Sequence, residues 1–120
     1  MTKQGLRIRT LVAALAAAGL STAALGQAKE VSIGVIFDYS GPFAAGGSQA
    51  AGIGTKIAVD MINERGGVEG RKIKATYADA QSKTEVAINE MTRLLDQDKV
   101  DLIMGVYSSA HCVPMAQKVD

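Results

Sequence analysis

The segment GVYSSAHC, from Gly105 to Cys112, holds the side chains of this sequence that are best suited to chemistry. Ser109, His111 and Cys112 offer a hydroxyl, an imidazole and a thiol, the groups of a nucleophile and its base. Catalytic groups must converge in space, however, and neighbours at the start of a helix point in different directions. One histidine and one cysteine are also too few ligands for a metal ion. We therefore predict no catalytic residue, no metal site and no cofactor. His111 is expected at the surface beside a cleft, and Cys112 as a small apolar core residue.

The same segment is better suited to binding. It lies between a predicted strand and a predicted helix that begins near Ala110, where the first backbone N–H groups have no partner inside the helix. Those groups and the positive end of the helix dipole favour a carboxylate or another anionic group. We predict that a ligand carboxylate accepts hydrogen bonds from the Ser109 hydroxyl and from the N–H of Ala110 or His111. Ser108 either joins the site or caps the helix, and Tyr107 precedes both serines.

A second loop, DYSGPFAAGGSQ, follows the first predicted strand. Its glycines permit close approach of the backbone to a ligand, but the pattern matches neither the P-loop nor the dinucleotide-binding fingerprint. Its candidate binding residues are Tyr39, Ser40, Phe43 and Gly46. The hydroxyls and free N–H groups of this loop suit a small polar or anionic molecule.

Three segments are predicted as strands: Val31–Phe37, Lys72–Asp79 and Val100–Val106. Helical patterns alternate with them, which predicts an α/β fold with a parallel sheet and helices on both faces. The third strand is mostly apolar and is expected to be central. In the common strand order 2-1-3, the loops after strands one and three face each other across the crevice where ligands bind.

Apolar spacing also predicts which helix faces are buried. The first helix begins near Gln49 and ends where Gly66 or Gly67 takes a left-handed cap position, with Val68 packed back on its last turn. Its core stripe is predicted as Ile53, Ile57, Ala58, Met61 and Ile62. The second helix is capped by Ser82 or Thr84. Its predicted stripe is Ala87, Met91, Leu94 and Leu95.

Residues 1–28 have the pattern of a secretory signal peptide: a basic start, the apolar run Leu11–Leu20 and small residues before the exit. Cleavage after Gly26 or Ala28 fits, and the apolar run is too short to span a bilayer as a mature helix. Loss of the three basic residues of this segment leaves ten basic and twelve acidic residues. The mature chain is therefore mildly acidic, which predicts no nucleic-acid partner. The signal-peptide pattern predicts an exported, periplasmic product.

Three motifs in combination, IGVIFDYSGPFAAGG, AVDMINERGGVEGRKI and DLIMGVYSS, resemble the opening lobe of type I periplasmic binding proteins. The resemblance is to the branched-chain amino acid (Leu/Ile/Val-binding) transport class and covers Val31 to Asp120. It implies two α/β lobes that close over a small molecule and deliver it to a membrane ABC permease. It also implies that residues 29–120 form the N-terminal, truncated part of the first lobe.

In that family the serine of the loop after strand three meets the ligand carboxylate, and the aligned residue here is Ser109. A tyrosine of the first loop often lies against the ligand. Gly46 occupies that position in this chain, with Tyr39 and Phe43 nearby. The resemblance thus implies a receptor for a branched-chain or related amino acid. The smaller Gly46 leaves room for a bulkier ligand, such as an aromatic carboxylate or an amide. A ligand-sensing regulatory domain of the same fold is the other alternative.

Overall fold

A computed structural model describes residues 29–119. Strands and helices alternate along this part of the chain. In chain order the elements are β1 (Val31–Phe37), a short π-helical turn (Ala44–Ser48), α1 (Gln49–Glu64), β2 (Ile73–Asp79), α2 (Thr84–Asp96), β3 (Leu102–Gly105) and α3 (Ser109–Val119). The predicted signal peptide, residues 1–28, lies outside the described residues. Within residues 29–119, no helix has the length and apolarity needed to cross a membrane.

The three strands form one parallel sheet in the order β2-β1-β3, which confirms the predicted fold class and strand order. Its central strand is β1. The prediction that the third strand is central is wrong for the described sheet, because β3 pairs only with β1 and forms its edge. Two apolar side chains of β3 are accordingly open to solvent, Leu102 at 47% and Met104 at 39%.

Alternate residues of β1 enter two separate cores, one on each face of the sheet. On one face Ile33, Val35 and Phe37 pack with Val59 of α1. On the other face Ile36 packs with residues of α2 and α3, among them Ala87, Met91, Leu94 and Met115. Leu95 is partly buried against this second core. The predicted α2 stripe is therefore confirmed, and the helices cover both faces of the sheet.

The predicted core stripe of α1 is wrong. Three of its five members are half exposed, Ile53 at 52%, Ile57 at 54% and Met61 at 51%, and of the five only Ile62 is partly buried. The buried residues of the helix are Gly52 and Val59. The reason is that α1 is apolar on two faces. The face with Gly52 and Val59 packs on β1 and β2, and the outer face has no covering element within residues 29–119.

The end of α1 follows the glycine prediction only in part. Gly66 and Gly67 both adopt positive φ, 105° and 84°, and the Gly67 N–H donates to the Ile62 carbonyl at 2.9 Å. This arrangement closes the last turn as expected. Val68, however, is 44% exposed and pairs with Arg71 in a short antiparallel bridge instead of packing back on the helix.

The predicted cap of α2 is wrong as well. Lys83 occupies the N-cap position and makes no side-chain cap hydrogen bond. Ser82 lies in the left-handed region at φ 57°, and its hydroxyl accepts from the N–H of Phe43 at 2.9 Å. The Ser82 hydroxyl therefore holds the loop after β1 and does not cap the first turn of α2.

Candidate functional site

The carboxyl ends of β1 and β3 bring the two predicted loops into direct contact. The Tyr107 hydroxyl donates to the Gly46 carbonyl. The ring of Tyr107 lies over Gly47, where an added Cβ would come within 3.2 Å of the tyrosine hydroxyl and 3.3–3.4 Å of ring atoms. Gly47 also has a φ of 126°, a backbone conformation that residues other than glycine rarely adopt. Tyr107 thus borders the space beside Gly46 that was expected to admit a bulkier ligand, with its nearest atoms 3.8–3.9 Å from a Cβ added at Gly46.

The two serines at the start of α3, Ser108 and Ser109, have different roles. The Ser108 hydroxyl accepts from the Ala110 N–H at 3.2 Å, so Ser108 caps the helix. The Ser108 carbonyl accepts from the N–H groups of His111 and Cys112, at 3.0 and 3.1 Å. The expectation that the N–H groups of Ala110 and His111 stand open is therefore wrong, because the turn tightens and satisfies them locally.

Ser109 is the open residue of this turn. Its side chain is exposed, and neither its hydroxyl nor its N–H makes a hydrogen bond with another residue of the described range. The same holds for the N–H groups of Tyr107 and Ser108. A row of donors without partners in the described range therefore lies at the start of α3, the end of the helix where its dipole favours negative charge.

Two candidates of the first loop are held elsewhere. Tyr39 packs against Gly52 of α1, so closely that a Cβ there would overlap the tyrosine ring. Burial, with Tyr77 and Asp79 nearby, raises the pKa of Tyr39. The Ser40 hydroxyl donates to Asp79 at 2.7 Å. Tyr39 therefore holds the loop against α1, and Ser40 holds it against the end of β2. Within residues 29–119, neither hydroxyl makes a contact that would direct it to Ser109.

Phe43 and His111 lie side by side, and the expectations for His111 and Cys112 are both reversed. The rings of Phe43 and His111 meet edge-on with centroids 5.6 Å apart. His111 is only 2% exposed, whereas Cys112 is exposed. The cause is the phase of α3: His111 and Met115, one turn apart, face the core, which turns Cys112 outward.

Sequence reasoning missed the residues that fasten the first loop to the sheet. Asp38, buried at 1% exposure, accepts from the Ser48 hydroxyl at 3.0 Å and from the Ser82 N–H at 2.8 Å. The Ser48 hydroxyl in turn accepts from the Asp38 N–H at 2.7 Å. An aspartate directly after a buried strand, next to a loop rich in N–H donors, is the signal that could have identified this network.

Asp79, at the end of β2, also fastens the first loop to the sheet. Its carboxylate accepts from the N–H groups of Tyr39 and Gln81, at 2.9 and 2.8 Å, besides the Ser40 hydroxyl. Burial raises the pKa of Asp79, but the hydroxyl and three backbone N–H groups that donate to it outweigh burial and hold the pKa below its ordinary value of 3.8. The loop geometry is therefore set by two carboxylates that are not part of the open site.

The chemistry available at this edge is that of hydrogen-bond donation to a small anionic group. Ser109 contributes a hydroxyl, and the backbone contributes N–H groups. Nowhere in residues 29–119 do three His, Cys, Asp or Glu side chains come close enough to share a metal ion. An α/β lobe with open donors at the switch point of its sheet is the architecture of a ligand-binding domain.

Comparison with known proteins agrees with this class. The sequence profile of the periplasmic binding protein family matches residues 30–120, and the chain belongs to that family. Leu/Ile/Val-binding protein homolog 7 of Brucella abortus (strain 2308) is 36% identical over 104 residues, which are 87% of this chain and 26% of that protein.

Two solved structures place the fold in the same group. One is the branched-chain amino acid transporter substrate-binding protein LivJ of Streptococcus pneumoniae in complex with isoleucine. It has a TM-score of 0.71 and 32% identity over 75% of this chain and 26% of that one. The other is the leucine-binding protein LivK of Thermotoga maritima. It has a TM-score of 0.65 and 29% identity over 74% of this chain and 24% of that one. The chain thus spans about a quarter of the length of these relatives.

Proposed function

We propose that this chain is the opening part of a solute-binding protein that captures a branched-chain or related amino acid for an ABC importer. The observation that carries the proposal is the open Ser109, whose hydroxyl and N–H make no hydrogen bond within residues 29–119. A carboxylate at this position accepts hydrogen bonds from both groups and is stabilised by the helix dipole. The family to which the chain belongs and the isoleucine complex of its structural relative support this choice of ligand.

The geometry favours a compact ligand over the bulkier aromatic alternative. The ring of Tyr107 lies over Gly46 and Gly47 and reduces the space between the two loops. An aliphatic side chain fits beside that ring more readily than a second aromatic ring. The preference for a branched-chain amino acid over an aromatic carboxylate therefore rests on Tyr107.

The other wall of the pocket comes, in this proposal, from a second lobe of the polypeptide. The chain spans 26% of its Brucella relative, and the residues described here provide one side of a crevice. The exposed apolar face of α1 and the unpaired edge of β3 agree with a larger lobe that covers them. Closure of two lobes then surrounds the ligand and excludes water.

Binding, in this proposal, leaves the ligand chemically unchanged, and capture takes place in the periplasm after removal of residues 1–28. The bound molecule is then passed to a membrane permease. Support for the absence of catalysis is the site itself: its groups are hydrogen-bond donors at a helix start, and the one imidazole nearby, His111, is buried.

Mass spectrometry of small molecules released from the complete gene product, purified under mild conditions, tests the proposal. We expect an amino acid, and we expect it intact after prolonged incubation with the protein. Calorimetric titration with L-isoleucine, L-leucine, L-valine and L-phenylalanine then ranks the ligands, with the aromatic one weakest. Recovery of a converted product, or tight binding of L-phenylalanine alone, contradicts the proposed function.

A further inference from the structure

His111 carries a polar atom that has no hydrogen bond within residues 29–119. The side chain is 2% exposed, and its Nδ1 atom is buried without a partner in that range. Buried polar atoms are normally hydrogen-bonded, because an unpaired one costs free energy. An acceptor lies close by, since Nδ1 is 3.8 Å from Oδ1 of Asp38. The pair is therefore near a hydrogen bond without forming one.

Asp38 has the capacity to accept this additional donor. Its Oδ1 accepts from the Ser82 N–H at 2.8 Å, and its Oδ2 accepts from the Ser48 hydroxyl at 3.0 Å. Each carboxylate oxygen offers two lone-pair sites, so one site on Oδ1 is open. A hydrogen bond from a ring N–H needs about 2.7–3.2 Å, so a shift of about 1 Å would complete the contact.

The tautomer follows from the same contact. A neutral imidazole has one N–H, and its position is set by the partner of each nitrogen. With the proton on Nε2, the lone pair of Nδ1 would face a carboxylate oxygen across 3.8 Å, which is unfavourable. With the proton on Nδ1, the ring presents a donor to that oxygen. The arrangement therefore favours the Nδ1–H form.

The pair joins the two sides of the candidate site. His111 lies on the first turn of α3, two residues after Ser109, while Asp38 begins the loop after β1. The ring of His111 also meets Phe43 of that loop, with centroids 5.6 Å apart. A movement of the helix start relative to the first loop thus changes the distance between Nδ1 and Oδ1 directly.

We propose that His111 is a positioning residue for the ligand site. It carries its proton on Nδ1, and it donates this proton to Asp38 when a ligand draws the two loops together. The bond fixes the start of α3, with the open donors of Ser109, against the first loop. The proposal rests on the binding function proposed above, and it makes affinity depend on a side chain that does not touch the ligand.

Nitrogen-15 NMR of the imidazole tests the tautomer without any ligand, in the complete gene product labelled at histidine. The resonances of His111 are identified by their loss in His111→Asn. We expect a protonated Nδ1 and an unprotonated Nε2. An Nε2–H tautomer in the folded protein would overturn the proposal.

Three substitutions test the positioning role. His111→Asn places an amide N–H near the Nδ1 position, His111→Leu fills similar space without a donor, and Val113→Leu is an exposed control on the same helix (58% exposed). With L-isoleucine as the probe, we expect His111→Leu to weaken binding about tenfold or more. His111→Asn should remain within about threefold of the unmodified protein, as should Val113→Leu. Backbone amide shifts of Ser109 and Ala110, measured at saturating L-isoleucine, should move in the leucine variant and be restored by asparagine.

Equal effects of asparagine and leucine on both the amide shifts and the affinity would show that His111 is only a packing residue, and would overturn the proposal. If L-isoleucine does not bind even the unmodified protein, the proposed function is wrong for that ligand. The tautomer, which is measured without any ligand, still tests the proposal for His111 in that case.

Discussion

The hydroxyl of Tyr107 donates a hydrogen bond to the backbone carbonyl of Gly46, so the loop after β3 closes directly onto the loop after β1. This contact needs the glycine that follows. Gly47 has a φ of 126°, and its missing side chain leaves the space in which the tyrosine ring lies. The contact therefore depends on one aromatic residue and on two glycines in the facing loop.

Gly47→Ala is expected to destabilise the protein, because alanine is strained at this φ and its methyl group meets the Tyr107 ring. A loss of about 1–3 kcal/mol in the free energy of unfolding is expected. Gly54→Ala is the matched control: Gly54 lies in the interior of α1 with nothing within 4 Å of an added Cβ, and its φ is not positive. That change should stabilise by about 0.5–1 kcal/mol. Chemical denaturation of both variants measures the difference, and similar effects at the two positions would contradict the account of Gly47.

Asp79→Asn is expected to remove part of the acid sensitivity of the fold. The pKa of Asp79 is held below its ordinary value of 3.8 in the folded chain, so its carboxylate stabilises the fold above that pH. This contribution is lost as the pH falls below 3.8 and through the lower, folded pKa. The variant should be less stable at pH 7, with a flatter decline of stability in acid.

Melting temperatures between pH 7 and pH 2.5 provide the measurement for Asp79→Asn. Asp60→Asn is the control, since Asp60 is exposed and forms a surface pair with Lys56. It should change the free energy of unfolding at pH 7 by about 0.5 kcal/mol or less. Parallel acid profiles for the unmodified protein and the Asp79 variant would contradict the predicted role of this carboxylate.

Hydrophobic periodicity was sufficient to locate the three strands but did not identify every helix face. The bounds of β1 were predicted because a buried strand has a strong local signal. The strand order was predicted because 2-1-3 is a common order in such folds. The α1 stripe of Ile53, Ile57 and Met61 was assigned to the wrong side, because a helix with two apolar faces gives no local indication of which one meets the sheet. That choice is made by tertiary packing.

The candidate site was predicted at the level of loops and only partly at the level of side chains. The pairing of the loops after β1 and β3 follows from sheet topology. The burial of His111 does not, because it depends on the rotation of α3 about its axis and on Asp38, which is distant in sequence. The occupied N–H groups of Ala110 and His111 likewise depend on how tightly the first turn is wound.

Export is expected to leave a mature N-terminus at Gln27 or Lys29, because small residues stand at the two positions that a signal peptidase requires before either site. N-terminal sequencing of the protein from a periplasmic extract measures this directly. A product that begins at Thr2 would contradict the signal-peptide prediction.

Residues 29–120 expressed alone are expected to aggregate and to melt without a sharp transition. The outer face of α1 and the edge of β3 leave Ile57, Met61 and Leu102 about half exposed. The double variant Ile57→Lys/Met61→Lys should make this piece more soluble, yet destabilise the complete gene product, in which we propose that the face is covered. A cooperative, monomeric melt of the unmodified piece would contradict the proposal that it is part of a larger lobe.

The two serines at the start of α3 give the most direct test of ligand capture. Ser108 caps the helix through the Ala110 N–H, whereas the Ser109 hydroxyl makes no hydrogen bond within residues 29–119. Ser108→Ala should therefore lower stability by about 1 kcal/mol. Its affinity for the ligand should change little, which makes it the matched control for the neighbouring position.

The deciding measurement is calorimetric titration of Ser109→Ala in the complete gene product, with the amino acid that binds the unmodified protein most tightly. A hydrogen bond to a charged carboxylate contributes about 1.5–3 kcal/mol, so we predict a loss of affinity of about 10- to 100-fold at an unchanged melting temperature. Unchanged affinity with a lowered melting temperature would assign Ser109 to the helix cap and contradict its place in the site.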